Sequence, residues 1–326
     1  MIYREILTAQ PVLPAPMCGI SDFAQREACR AAGARFTFTQ MVSADSIVRD
    51  NRRSIDILDL DPSERDVMIQ LFGGDPENLA EAARRIEALG ASVIDLNMGC
   101  PARKINVGMA GAALLKDMPR VAQIFKAMRR AVTVPLTVKM RWDWDEGDGV
   151  ALEAARMAEA EGLDGVTLHA RTRRQGYSGQ ADWELIGRMV EAVSIPVVGN
   201  GDIREPADAL QMLRATGCAA VMIGRALIGD PWLLGECIEA LRRGAAAPGR
   251  SGLPDWPERR AMMLRHARLL FERRGRRGLL QFRKHAVGYL RGLPGAKRMR
   301  ELLMKVETLE DLERALKEPM GPINHE

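Results

Sequence analysis

The chain is poor in cysteine, and its thiols are badly placed for cross-linking: Cys18, Cys29, Cys100, Cys218 and Cys237 are odd in number, scattered over 326 residues and never in a CxxC pair. Disulfide frameworks, zinc fingers and iron-sulfur clusters need paired thiols, so reduced cysteines and no bound metal are expected. No stretch approaches the ~18 consecutive apolar residues of a membrane span, and the first residues, Met1 to Glu5, hold no apolar signal core. A cytoplasmic protein with no membrane association is the expectation. Low-complexity tracts are missing as well, and 47% hydrophobic with 28% charged residues is an ordinary globular composition. One region lacks acids. Between Arg259 and Lys305 there are 15 Lys or Arg against only Glu272 and Glu301, a local +13 in a chain whose total is +4. A solvated helix surface is the bland reading of such a run; an imbalance this large points instead to a polyanion, nucleic acid above all.

Against these absences stand eight short apolar runs rich in β-branched residues, at 12–15, 36–39, 67–72, 93–97, 136–140, 166–169, 196–199 and 220–223. Segments of helical period lie between most of them, notably 76–89, 121–131, 150–161, 183–193 and 206–215, with caps such as Asp75 and Asp148 and exit glycines such as Gly90, Gly162 and Gly217. Strand, helix, strand at this spacing implies parallel pairing through right-handed crossovers. Eight repeats predict an α/β fold, a (β/α)8 TIM barrel of the usual ~250 residues, although an open doubly wound sheet fits the same pattern. A Gly/Ala/Pro-rich linker at 244–257 would join the barrel, 1–243, to a basic all-helical domain at 258–326 with helices near 262–273, 279–290, 298–306 and 309–316 and a frayed end at 319–326.

In a barrel the chemistry gathers at the carboxyl ends of the strands. Those positions hold Pro16 and Met17, Gln70, Asn97 with Cys100, Lys139 with Arg141, His169 with Arg171, Asn200-Gly201-Asp202, and Gly224-Arg225. The last two sets follow the seventh and eighth strands, where barrel loops often bind phosphate through backbone N–H groups. A phosphate-bearing cofactor is therefore expected. Lys139 ends an apolar strand, where an ammonium needs an anionic partner; an ion pair, a Schiff base and the electron-rich edge of a flavin are the three candidates. Lys139 and Arg141, two apart, would both face the mouth. Gln70, Asn97 and His169 are buried polar groups that must find partners. Cys100 is held between Gly99 and Pro101 ahead of a long loop, 102–111, able to open and close, whereas Cys18 competes for any thiol role.

With these residues assembled, the chain resembles the tRNA-dihydrouridine synthases, and most of all their bacterial B-type group. The matching motifs are Ala15-Pro16-Met17, Gln70, Asn97-Met98-Gly99-Cys100-Pro101 with Gly111-Ala112-Ala113-Leu114-Leu115, Val138-Lys139-Met140-Arg141, His169-Ala170-Arg171-Thr172, Gly199-Asn200-Gly201-Asp202-Ile203, Ile223-Gly224-Arg225 and, in the tail, Arg283-Lys284-His285. The resemblance implies a flavin oxidoreductase that uses NADPH to reduce uridines in tRNA. It implies FMN contacts from Pro16, Met17, Cys18, Gln70, Lys139, His169, Asn200, Gly201, Asp202, Gly224 and Arg225, with Cys100 as the proton donor. Contacts to tRNA are expected from Asn97, Arg141, Arg171, Tyr177, Arg283 and Lys284, in a monomer. A dihydroorotate dehydrogenase-like enzyme, a Schiff-base aldolase on Lys139 and a non-catalytic RNA-binding barrel are the competing readings.

Overall fold

The computed structural model describes residues 2–145, 147, 149–245 and 253–318. The expected cap Asp148, residues 246–252 of the expected linker and the end at 319–326 lie outside the described residues. Eight parallel strands form a nearly closed barrel: β1 (Val12–Pro14), β2 (Thr37–Phe38, continued by Val42–Ser43), β3 (Val67–Phe72), β4 (Val93–Met98), β5 (Leu136–Arg141), β6 (Gly165–His169), β7 (Val197–Asn200) and β8 (Ala220–Ile223). Around the barrel they run in sequence order, and β1 pairs with β8. Each of the five helices expected between strands is present, with ends within three residues of the expectation, as in Pro76–Ala88, which Asp75 caps by accepting from the Asn78 N–H.

Two apolar layers hold this sheet. Residues such as Ile69, Leu71, Ile94, Leu96, Val138 and Leu168 face outward into the ring of helices. Leu13, Phe36, Met68, Val93, Val198 and Ala220 fill the lower interior, closed from below by Tyr3, Ile6 and Leu7 of the helix Tyr3–Ala9. Above them the interior turns polar, because residues two apart on a strand share a face: Gln70 pairs in register with Asp95, and Asp95 with Thr137. The seam between β1 and β2 has no backbone ladder among the described residues. Instead the buried Gln10 carboxamide accepts from the Arg35 and Phe36 N–H groups and donates to the Val12 and Phe36 carbonyls, doing with a side chain what a ladder does elsewhere.

The tail is helical throughout its described part, with helices Trp256–Arg274, Arg276–Tyr289, Ala296–Leu303 and Leu309–Ala315 around a core of Met263, Leu270, Phe282 and Leu303. It meets the barrel closely. A Cβ added at Gly288 would sit 2.0 Å from the Ile228 carbonyl oxygen, so only glycine lets this helix touch that loop. Arg273 grips Asp59 and Asp61 at 2.8 Å each, Arg274 reaches Asp59 at 3.2 Å, and Arg265 lies 3.6 Å from Glu27.

Candidate active site

The carboxyl rim encloses a cavity of about 360 Å³. Its walls include Pro16, Met17, Lys139, His169, Asn200 and Gly201, with Asp202, Gly224 and Arg225 at the seventh and eighth strand ends. These residues come together because β5 to β8 end at one level: Arg141 is level with His169, and His169 with Asn200. Lys139 donates to the Asn200 Oδ1 at 3.0 Å, and the other end of that amide donates to the Met222 carbonyl at 2.8 Å. Burial, with Arg141 beside it, pushes the Lys139 ammonium down to about 8. His169 is held neutral by burial and by Lys139, Arg141, Arg171 and Arg225, which all disfavour a further positive charge. Asp202 opposes these cations. Burial works to raise its pKa, but the Ala181 N–H and Arg171 hold the carboxyl below its usual range. Gly201 has φ 135°, and a Cβ there would meet Ala181 at 2.6 Å, so both conformation and space require glycine.

Several expected contacts are placed differently. Cys18 is exposed, is absent from the cavity wall, and lies near enough to Cys100 for the two thiols to interact. Gln70 is wholly buried, with its Nε2 donating to Asp95 and its Oε1 accepting from Asn97. Arg141 does not open onto the mouth beside Lys139: it is 1% exposed and spans two loops, donating to the carbonyls of Gly99, Thr172 and Gly176. Arg171 is equally buried, bound to the Ser178 and Gly179 carbonyls and to Asp202 at 2.7 Å. Both guanidinium groups shape the mouth rather than meet solvent. Tyr177 is 55% exposed, its ring between Arg225 at 4.5 Å and Arg141 at 5.5 Å.

Cys100 is half-buried on the turn after β4. Its N–H and that of Gly99 donate to the Asn97 Oδ1 at 2.9 and 3.1 Å, and its carbonyl accepts from Ala112 at 3.2 Å. Burial raises the pKa of the thiol. The following loop is partly helical, at Arg103–Asn106 and Gly111–Lys116. In the tail, Arg283 turns inward to the Val306 carbonyl, whereas Lys284 is exposed beside Gly19 and lines a groove of about 1310 Å³ with Gln40, Arg273, Arg277 and Gln281. Sequence reasoning missed Arg291, a tail residue on the wall of the mouth, and Asp95, a carboxylate beneath Gln70. A lone acid within an apolar strand was the available signal for Asp95; nothing local marks Arg291.

A parallel barrel with its cavity at the carboxyl rim defines the class, a (β/α)8-barrel enzyme. A family model described as dihydrouridine synthase (Dus) matches residues 13–321, and the chain belongs to this family. It is 41% identical over 287 residues to the tRNA-dihydrouridine synthase B of Pseudomonas aeruginosa, covering 88% of this chain and 85% of the relative. A probable tRNA-dihydrouridine synthase 1 of Synechocystis sp. is 38% identical over 302 residues, 92% of this chain and 83% of that one. Among solved structures, histamine dehydrogenase from Rhizobium sp. 4-9 aligns with a TM-score of 0.51 at 17% identity over 79% of this chain and 49% of that one, a likeness of fold alone.

Proposed function

We propose that this protein reduces selected uridines of tRNA to 5,6-dihydrouridine, with FMN held in the rim cavity and NADPH as reductant. The observation that carries this reading is the half-buried Lys139, a cation at the mouth whose hydrogen-bond partner is a neutral amide. Such a site is completed by an electron-rich or anionic ligand. The cavity's volume falls within the ~300–1,000 Å³ of cofactor pockets. Pro16 and Met17 would contact the ring, Lys139 its electron-rich edge, and the backbone at Gly201 and Gly224 with Arg225 the phosphate. When bound and reduced, the flavin supplies the hydride that saturates C6 of the uracil.

The chain's own residues supply the rest. Hydride addition leaves negative charge at C5 and O4, and the Cys100 thiol donates its proton to C5, then recovers one from solvent. A thiol whose pKa is raised suits this role, because it is protonated at neutral pH. Arg141 positions the thiol by tying Gly99 to the loop that carries Tyr177. The target nucleotide must leave its stack to enter the rim, at a cost of a few kcal/mol, which stacking on Tyr177 offsets. Lys284 and Arg277, which make no ion pair among the described residues, would meet tRNA phosphates along the second groove. In this reading 1–243 is the catalytic domain, 258–326 the tRNA-binding one, and the enzyme works as a monomer in the cytoplasm.

The test is direct. Unmodified tRNA incubated with the protein, FMN and NADPH should contain dihydrouridine on nucleoside analysis. Absence of the product despite bound, reducible flavin would overturn the assignment of substrate.

A further inference from the structure

The Cys100 turn is the end of a chain of hydrogen bonds that begins lower in the barrel interior, at Asp95 on the same strand, and passes through Gln70 on the neighbouring one. Asp95, 1% exposed, accepts from the Thr137 hydroxyl at 2.6 Å and from the Gln70 Nε2 at 2.7 Å. Gln70 then accepts at its Oε1 from the Asn97 Nδ2 at 2.8 Å, and the Asn97 Oδ1 accepts from the N–H groups of Gly99 and Cys100. Every link runs in one direction. A carboxamide has two ends of nearly equal size and can be turned over with little change in packing. Something must choose the orientation.

Asp95 can. Burial pushes its carboxyl up to about 6, against the opposing effects of the Gln70 and Thr137 hydrogen bonds and of Lys139, which leaves it a carboxylate at neutral pH. A carboxylate only accepts. It therefore draws the NH2 end of Gln70, which turns the Gln70 oxygen toward Asn97, which in turn directs the Asn97 oxygen to the turn. A reversed Asn97 would set its NH2 group against two backbone N–H donors and leave them unpaired.

We infer that Asp95 is a positioning residue for the thiol: as the acceptor-only end of the chain it fixes the orientation of the Gln70 and Asn97 carboxamides in series and so holds Gly99 and Cys100 in their hydrogen-bonded turn. It rests on the reading of Cys100 as the acid for its catalytic meaning, though not for its structural content.

The experiment is hydrogen exchange on the full-length protein, resolved at Gly99 and Cys100, for Asp95→Asn and for the double variant Asp95→Asn with Gln70→Glu. The single variant replaces the acceptor by a group of the same size that can present either end. Exchange at both amides should quicken roughly tenfold, the scale of one lost hydrogen bond, and kcat should fall by a similar factor with the KM for tRNA unchanged. In the double variant the two groups trade places: the amide now at position 95 donates to the carboxylate now at position 70, whose second oxygen again accepts only, from Asn97. Protection at Gly99 and Cys100 should return. A residue that merely filled space would show no such recovery. Unchanged exchange in the single variant, or a double variant that is unfolded or unprotected, overturns the proposal. If protection follows the pattern while Cys100→Ala keeps full turnover, the chain of orientation stands and the role given to the thiol falls.

Discussion

The two most cationic parts of this molecule use their charge in opposite ways. At the barrel mouth, Lys139, Arg141, Arg171 and Arg225 converge on His169, and Asp202 is the carboxylate that answers two of them, Arg171 at 2.7 Å and Arg225 at 3.9 Å. In the tail six of the fifteen cations of the +13 run, Arg265, Arg268, Arg273, Arg274, Arg276 and Arg298, each face a carboxylate from outside the run. The mouth cations thus gather around one buried histidine and share one carboxylate, whereas part of the tail's charge is taken up in pairs at its surface and at the junction with the barrel. Count does not measure capacity to bind an anion; burial and pairing do.

The strongest way to sharpen this contrast is to remove chemistry from the mouth without removing charge. Cys100→Ala should slow dihydrouridine formation by ~10²- to 10⁴-fold, the usual worth of a positioned acid, with flavin binding retained; equal turnover would place the proton donor elsewhere. Next, Lys139→Met takes one mouth cation away. It should weaken flavin affinity roughly 10- to 100-fold, as expected for a charged hydrogen bond, in equilibrium titrations of the apoprotein. The wild-type affinity should also depend on pH in one direction. The free ammonium titrates at about 8, below the 10.5 of an ordinary lysine, and an anionic partner raises it, so affinity is fullest below that pH. Above it, affinity should fall by up to about tenfold per pH unit until the pKa of the complex is reached, and Lys139→Met should abolish the slope.

Breaking the tail's pairing should act on stability instead. Arg273→Met strips Asp59 and Asp61 of a shared partner at the junction. A loss of about 1–3 kcal/mol in urea unfolding is expected, with faster exchange in the tail helices and an unaltered mouth. Loss of flavin in that variant would show that the two charge systems are coupled. The smallest effect belongs to Lys284→Ala, a few-fold weaker tRNA binding with the slope of log affinity against log salt reduced by about one. An unchanged slope would remove Lys284 from the tRNA surface.

Much of the barrel was legible because the strands announce themselves twice, by an apolar run and by the glycine or polar group that stops it. Val93 to Cys100 shows both, and its strand ends within a residue of the expectation. The loops at Gly201 and Gly224, which line the cavity, were legible for the same reason. What could not be read were relations between distant residues. Arg141 and Arg171 look like mouth cations until the carbonyls of Gly99, Gly176 and Ser178 fold over them. Arg283 looks like its neighbour Lys284, yet helical geometry turns one to Val306 and the other to solvent. Gln10 closes a seam with partners 25 and 26 residues away, a task that no local pattern encodes.

The central claim is that the mouth's excess positive charge exists to hold a flavin, and the visible absorption spectrum of the desalted protein tests it most directly. The account predicts the bands of oxidised flavin, about one per chain, or their appearance with saturation when FMN is added. A protein that is colourless and remains so after FMN is added and removed by desalting would contradict it.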